Sequence, residues 1–298
     1  MPEAILIFAN PIAGHGMGRA CAERIAARLT RDGFEPKVIL KRPADLSDRE
    51  LAIEPRAAVA IGGDGTVRGV ARRLVSAFAA GMPPIAVVPM GTANLLGQHL
   101  GMRFGERELP GKISAAISRL KVIELDAAIA NDELFLLMAG VGLDGKVVHE
   151  LDRIRSGPID ITDYALPAAL ALGFYRYPPL TVKVNDRVLC RDLPAVAFVG
   201  NVKEYGTGFP ILPHAVADDG LLDVCVLPCG NRADAVRHLL HAAAGEHLVS
   251  EGAIYTKGKH IRISSSEPVP VQIDGEAAGH TPLEIDLLPA RVPFIVPG

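Results

Sequence analysis

Four short runs in the first part of the chain, Ile5–Ala9, Lys37–Leu40, Ala57–Ile61 and Ile85–Val88, are apolar almost without interruption. A half-buried strand alternates apolar and polar side chains, whereas runs like these suit strands covered on both faces, as in the parallel sheets of α/β proteins. The intervening segments supply the covering helices. Cys21, Ala22, Ile25, Ala26 and Leu29 fall on one helical face, Arg24, Arg28 and Arg31 fall off it, and Gly33 stops the pattern. After Thr66 the pattern repeats, with Val67, Val70, Ala71, Leu74, Val75 and Phe78 on one face and Arg68, Arg72 and Arg73 elsewhere. This half therefore reads as α/β with a parallel sheet.

From about residue 122 the pattern changes to alternation and tight turns. Ile123, Leu125, Ala127 and Ile129 share a period of two, Asn131-Asp132 can turn, and Leu134–Ala139 can return as the partner strand. Leu180–Val184 and Val188–Cys190 flank Asn185-Asp186 as a second hairpin. More strands are expected at Ala195–Val199, Leu221–Leu227, His260–Ser264, Val269–Ile273, Leu283–Leu288 and Val292–Val296, and only 144–155, 161–175 and 231–248 have helical spacing. The second half reads as mainly antiparallel β.

Composition narrows the function classes. With 31 Lys+Arg against 34 Asp+Glu and a formal charge of −3, the chain has no global pull towards nucleic acid. Hydrophobic residues at 49% and charged residues at 22% exclude disorder, and 298 residues suit two domains. The mean hydropathy of +0.26 is high. Yet the longest apolar runs, Leu134–Leu143 and Leu193–Val199, fall short of the ~18 residues a spanning helix needs. The surplus apolarity fits an Ala- and Val-rich core or a surface that touches lipid. The start of the chain has an acid, Glu3, where a signal peptide has a base, so a cytoplasmic location is expected. Cys21, Cys190, Cys225 and Cys229 lack zinc-site spacing and are expected as reduced thiols.

Three strand ends in the first half carry the chemistry. Asn10-Pro-Ile-Ala-Gly14-His-Gly16-Met-Gly18 follows the first run and opens a helix near Met17. It matches neither the Rossmann nor the P-loop spacing, and a plain strand-to-helix loop fits it as well as a phosphate site. Gly62-Gly63-Asp64-Gly65-Thr66 follows the most apolar run, where open α/β sheets bind their ligands; Asp64 can serve a metal and Thr66 can donate to phosphate. Gly91-Thr92-Ala-Asn94-Leu95 repeats the combination of backbone approach and hydroxyl donor. All three loops are expected to converge on one cleft.

The motifs NPxxGxG, GGDGT and PxGTxN, in this order and spacing, resemble the diacylglycerol kinase catalytic-domain family, which includes bacterial lipid kinases and the sphingosine and ceramide kinases. The resemblance continues through Gly140-Val-Gly142 with Asp144, Asp218-Asp219-Gly220-Leu221-Leu222-Asp223, Gly245-Glu-His247 and Asp274-Gly275-Glu276. It implies a three-layer α/β nucleotide domain over residues 1–126, completed by 286–298, and a β-sandwich lipid-substrate domain over 127–285. It implies ATP as substrate, Mg²⁺ as the metal, a diacylglycerol-type acceptor at a membrane surface reached by peripheral contact, and no nucleic-acid partner. A homodimer is one open oligomeric option. A ceramide or sphingoid-base kinase, an NAD kinase (which shares GGDGT) and a non-catalytic nucleotide-binding relative are the alternatives; the DDGLLD and DGE segments argue against the NAD kinase.

By the same resemblance, Asn10, Gly14, Gly62, Gly63, Asp64, Gly65, Thr66, Gly91, Thr92 and Asn94 line the nucleotide cleft. Asp274 is the family's general base. Asp274 and Glu276, two apart after Val269-Pro-Val-Gln-Ile273, are expected to project to one side of an extended chain, although Asp-Gly also suits a plain turn. Asp64, Glu276 and Asp126 are expected to hold the active-site metal, Asp126 from the outward face of a strand. The side chain of Asp219 and the carbonyls of Ala217 and Leu221 match a separate structural Mg²⁺ site; an Asp-rich turn is the other reading. The chain departs from the family at Leu95, where many members have aspartate, and at Ala13, where many have serine.

Three further features have bland readings beside functional ones. His238, His241 and His247 read as surface or interface histidines rather than a zinc site. Lys257, Lys259, His260 and Arg262, with Arg153 and Arg155, suit a solvated face or a patch for anionic lipid. The apolar, Tyr-rich stretch from Tyr164 to Tyr177 suits sheet packing or the wall of a lipid slot.

Overall fold

The structure is a computed structural model that describes residues 2–11, 13–78, 81–91, 94–102, 105, 107–154, 174–204, 209–249 and 251–297. Its strands in chain order begin with β1 (Ala4–Ala9), β2 (Glu35–Ile39), β3 (Ala57–Gly62), β4 (Ile85–Pro89), β5 (Val122–Leu125), β6 (Ala128–Ala130), β7 (Glu133–Phe135) and β8 (Met138–Val141). They continue with β9 (Pro179–Val184), β10 (Arg187–Gly200), β11 (Leu222–Pro228), β12 (Ile254–Gly258) and β13 (His260–Ser264). The last four are β14 (Pro270–Ile273), β15 (Glu276–His280), β16 (Leu283–Leu287) and β17 (Val292–Ile295). The chain forms two compact units, Met1–Leu125 with Arg291–Gly298, and Asp126–Ala290.

In the first unit the sheet order is β2-β1-β3-β4-β17-β5, and only the β17/β5 pair is antiparallel. β3 is buried at every position, which is why its sequence shows no alternation. Helices Gly18–Arg31 and Asp64–Phe78 cover the sheet, burying Ala22, Ile25 and Leu29 from the first and Val67, Val70, Ala71 and Leu74 from the second. Each large side chain so buried contributes about 1.5–3 kcal/mol. Because β1, β3 and β4 are adjacent and parallel, their C-terminal ends lie side by side, with Ala9 opposite Ile61 and Gly62 opposite Pro89. The three glycine-rich segments therefore leave the sheet from the same edge.

The second unit is an antiparallel sandwich. β10 joins its layers: Arg187–Pro194 pairs with β9, while Ala195–Gly200 pairs with β8 and β11. Val182, Ile261, Ile263 and Ile285 of one layer pack with Val141, Ala197, Val199, Val224 and Val271 of the other. Val196, Phe198, Cys225 and Leu227, which alternate with those residues, face a second apolar cluster with Ala235 and Ala242 of helix Arg232–Ala243. Among the described residues no helix is long and apolar enough to cross a membrane.

Several expectations change. The alternating run from Ile123 to Ile129 is two strands: β5 closes the first sheet opposite β17, and β6 pairs with β16 and β7 in the second unit. The expected return strand Leu134–Ala139 likewise divides between β7 and β8. Val188–Cys190 and Ala195–Val199 are instead parts of the single strand β10. β16 stays in the second sheet, so the chain completes the first unit from Arg291 rather than from 286. Helices Leu143–Ile154 and Arg232–Ala243 occupy two of the three expected helical stretches; most of 161–175, with Arg155, lies outside the described residues.

Candidate active site

In the first unit the three loops pack backbone against backbone. A Cβ on Gly91 would stand 2.5 Å from the Cα of Gly63, which forces the backbone to shift, and one on Gly63 would stand 3.1 Å from the Cα of Gly91, a tight fit that requires the neighbour to give way. The Met90 N–H donates to the Gly62 carbonyl at 2.9 Å, the Gly14 N–H to Met90 at 3.2 Å, and the Asn10 N–H to Ile61 at 3.3 Å. Gly62 leaves the space that the Thr66 side chain fills, 2.5 Å from where a Cβ would be. Thr92 lies outside the described residues.

Two expected ligand residues also brace these loops. Asn94 sits at φ +49°, its Oδ1 accepting from the Gly91 N–H at 2.7 Å and its Nδ2 donating to the Gly91 carbonyl at 2.5 Å. Asp64 opens helix Asp64–Phe78 and also caps helix Leu95–His99, because the N–H groups of Leu95 and Leu96 donate to its Oδ2 and Oδ1 at 3.0 and 3.1 Å. Burial raises the Asp64 pKa above the ordinary value, against the two backbone donors, which pull it down. Each Asp64 oxygen takes one of these bonds and keeps a lone pair for a cation. At Leu95, where many family members have aspartate, the main-chain N–H holds Asp64.

In the second unit Asp274 and Gly275 form the two-residue loop between β14 and β15, with φ +50° and +82°, as a type I′ turn requires. The expected extended arrangement is thus corrected: a turn separates Asp274 from Glu276. The Asp274 carboxylate points inward and is 9% exposed, while Glu276 is exposed on β15. The N–H groups of Leu137 and Met138 donate to Asp274 Oδ1 at 2.8 and 3.0 Å, and that of Leu136 to Oδ2 at 3.0 Å. These converging dipoles stabilise the carboxylate's charge and fix its direction.

Gln272, fully buried, supports the turn. Its Oε1 accepts from the Gly275 N–H at 2.8 Å and its Nε2 donates to Asp144 Oδ2 at 2.9 Å. Gly140 leaves room for that carboxylate, since a Cβ there would collide with Asp144. Gln272 was not among the residues expected to matter; a lone glutamine in an apolar strand, two before Asp-Gly, was the available signal.

The metal expectations fare differently. Asp126 is not on an outward face: it is 3% exposed, its N–H donates to Ala217 at 2.7 Å, and its Oδ2 accepts from the Gly220 N–H at 2.6 Å. Through Gly220 it holds the Asp218–Asp223 loop. Asp219 Oδ1 accepts from the Leu221 N–H at 3.0 Å, and its Oδ2 pairs with the Lys257 ammonium at 2.8 Å. A divalent ion on Asp219 would therefore face a positive charge, and the Ala217, Asp219 and Leu221 donor set does not fit the structural Mg²⁺. Among the described residues no group of three or more His, Cys, Asp or Glu is placed to hold a metal.

Two of the three histidines are not on the surface, while His241 is half-buried. His238 and His247 are buried, with ring nitrogens 2.6 and 2.8 Å from the carbonyls of Pro228 and Ile211. Burial holds the His247 pKa below its ordinary value, with repulsion from His238 and His241 adding to this and the Ile211 carbonyl opposing it. Three members of the basic stretch are paired: Lys257 with Asp219 and Asp223, His260 with Asp286, and Arg262 with Glu284.

Comparison with known proteins covers both units. Residues 4–128 match the diacylglycerol kinase catalytic domain, and residues 138–296 match the YegS C-terminal NAD kinase beta sandwich-like domain. The chain belongs to the diacylglycerol kinase catalytic-domain family. A diacylglycerol kinase of Bacillus subtilis is 24% identical over 302 residues, covering 100% of this chain and 97% of that protein. A Stenotrophomonas maltophilia protein named "Probable lipid kinase YegS-like" is 28% identical over 244 residues, covering 80% of this chain and 78% of its own. The crystal structure of a diacylglycerol kinase from Bacillus anthracis matches the fold with a TM-score of 0.67 at 23% identity, covering 99% of this chain and 96% of that one. This family membership makes the chain a member of a phosphotransferase family.

Proposed function

We propose that the protein is an ATP-dependent lipid kinase, transferring the γ-phosphate to the hydroxyl of a diacylglycerol-type acceptor. The observation that carries this reading is Asp274: the DGE aspartate is held by three backbone N–H groups in a chain that joins a diacylglycerol kinase catalytic domain to a YegS C-terminal domain. Asp274 accepts the proton of the attacking lipid hydroxyl. Gly63, Gly65, Thr66 and Gly91 give the triphosphate N–H and hydroxyl donors, with Asn10, Gly14, Gly62, Thr92 and Asn94 around them. Asp64 would hold a divalent cation such as Mg²⁺, which when bound offsets negative charge on the phosphate oxygens. The enzyme works from the cytoplasm, in peripheral contact with the membrane that holds its substrate.

The name of the second matched domain, NAD kinase beta sandwich-like, keeps a soluble dinucleotide acceptor as the competing reading. Incubation with γ-labelled ATP, Mg²⁺ and detergent micelles containing diacylglycerol, ceramide or sphingosine, alongside soluble NAD, separates the two. Label in diacylglycerol is expected. Label in ceramide or sphingosine alone would change the acceptor, label in NAD alone would overturn the lipid assignment, and no transfer would move the reading to a nucleotide-binding relative.

A further inference from the structure

Strands β11 and β12 place Asp223 directly opposite Lys257. The Lys257 ammonium lies 2.8 Å from Asp219 Oδ2, 3.0 Å from the His214 carbonyl oxygen and 3.1 Å from Asp223 Oδ2. Three oxygens thus surround one ammonium, two of them accepting its hydrogen bonds. Asp223 is fully buried; its Oδ1 accepts from the Tyr255 hydroxyl at 2.5 Å, while its Oδ2 has no aligned hydrogen bond. The Asp223 Oδ2 contact with Lys257 is therefore an off-axis ion pair, and it compensates a carboxylate oxygen buried away from water. Asp219 in turn anchors Leu221, and Asp126 anchors Gly220 on the other side of the loop.

We propose that Lys257 is a built-in cation: its ammonium holds the Asp218–Asp223 loop in place of a divalent ion, so that the second unit of this chain folds without metal. Electrostatics favour this arrangement. A divalent ion bound to Asp219 would stand within a few ångströms of the ammonium, and like charges at that range repel. Burial works against a charged Lys257, but its hydrogen bonds and attraction to Asp219 and Asp223 outweigh that cost and raise its pKa. Lys257 thus belongs to the fold of the loop rather than to a surface patch.

The test is thermal unfolding of the full chain, without nucleotide, in excess EDTA and across a MgCl₂ titration, for wild type, Lys257→Met and Asp219→Asn. The wild type is expected to melt at the same midpoint with and without metal. Lys257→Met is expected to melt lower in EDTA by roughly 5 °C or more, as for a broken partly buried ion pair, and to regain part of the loss saturably with Mg²⁺, because Asp219, Asp223 and the His214 carbonyl are then open to a cation. Should that variant fail to fold in EDTA, recovery by Mg²⁺ carries the same meaning, and the wild-type arm stands alone. A wild-type midpoint that falls in EDTA, is restored by Mg²⁺, and loses this response in Asp219→Asn would overturn the proposal, as would Lys257→Met melting like wild type in EDTA.

Discussion

Replacing Asp274 with alanine removes the acceptor for three backbone N–H groups at once. Leu136, Leu137 and Met138 are each no more than 3% exposed, so water has little access to the donors left behind. An orphaned buried donor costs about 1–3 kcal/mol, and some relaxation is expected, so the loss comes to roughly 3–6 kcal/mol. Alanine must also adopt the φ of +50° that Asp274 holds, which adds about 1 kcal/mol. Asp274→Asn keeps a carbonyl oxygen for two of the donors and suits positive φ, but it turns an NH₂ towards the third N–H; its cost is about 1–3 kcal/mol. Urea unfolding of both variants, followed by circular dichroism, measures the difference. Alanine at least as stable as asparagine, or either variant as stable as wild type, would refute the argument that the backbone clamp binds this carboxylate tightly.

Three other outcomes follow from the same structure. Gly91→Ala drives a Cβ against the Gly63 backbone, and is expected to cost about 1–3 kcal/mol in urea unfolding and to weaken ATP binding; Gly63→Ala, with 3.1 Å rather than 2.5 Å of clearance, costs less. Gln272→Leu keeps the volume but removes the bonds to Asp144 and Gly275, so stability should fall by about 1–3 kcal/mol, and equal unfolding midpoints would contradict the bracing role. The His247 pKa is lowered below the ordinary 6.5, so the unfolded chain takes up its proton first. Stability is therefore expected to fall as pH drops through that value, and His247→Gln should flatten the midpoint-against-pH curve; parallel curves would contradict this.

The parts of the fold written in local pattern were legible. β1, β3 and β4 lie within one residue of runs whose lack of alternation marks burial on both faces, and the faces of helices Gly18–Arg31 and Asp64–Phe78 follow their apolar spacing. The split of 123–129 at Asp126 was not legible, because both halves are apolar and alternation carries no information about which sheet a strand joins. Nor was the inward turn of Asp274: its donors are 136 to 138 residues away in sequence, and Asp-Gly alone reads as a solvated hairpin. Lys257 looked like one of several basic residues, because its partners Asp219 and Asp223 come to it through the β11/β12 register, which sequence spacing does not encode. The bracing done by Asp64 and Gln272 was not legible either, because Leu95 and Leu96 reach Asp64 from another loop and the Asp144 side chain reaches Gln272 from another element, whereas Asn94 bonds Gly91 within its own loop.

The central claim is that Asp274 takes the proton of a lipid hydroxyl while the loops of the first unit hold ATP. It is tested most directly by measuring γ-phosphate transfer to diacylglycerol and ATP affinity side by side, for wild type and for Asp274→Asn under conditions where both are folded. The account predicts turnover lost by a factor of at least about 100 in the variant, with ATP affinity unchanged. Transfer to diacylglycerol at the wild-type rate by folded Asp274→Asn would contradict it.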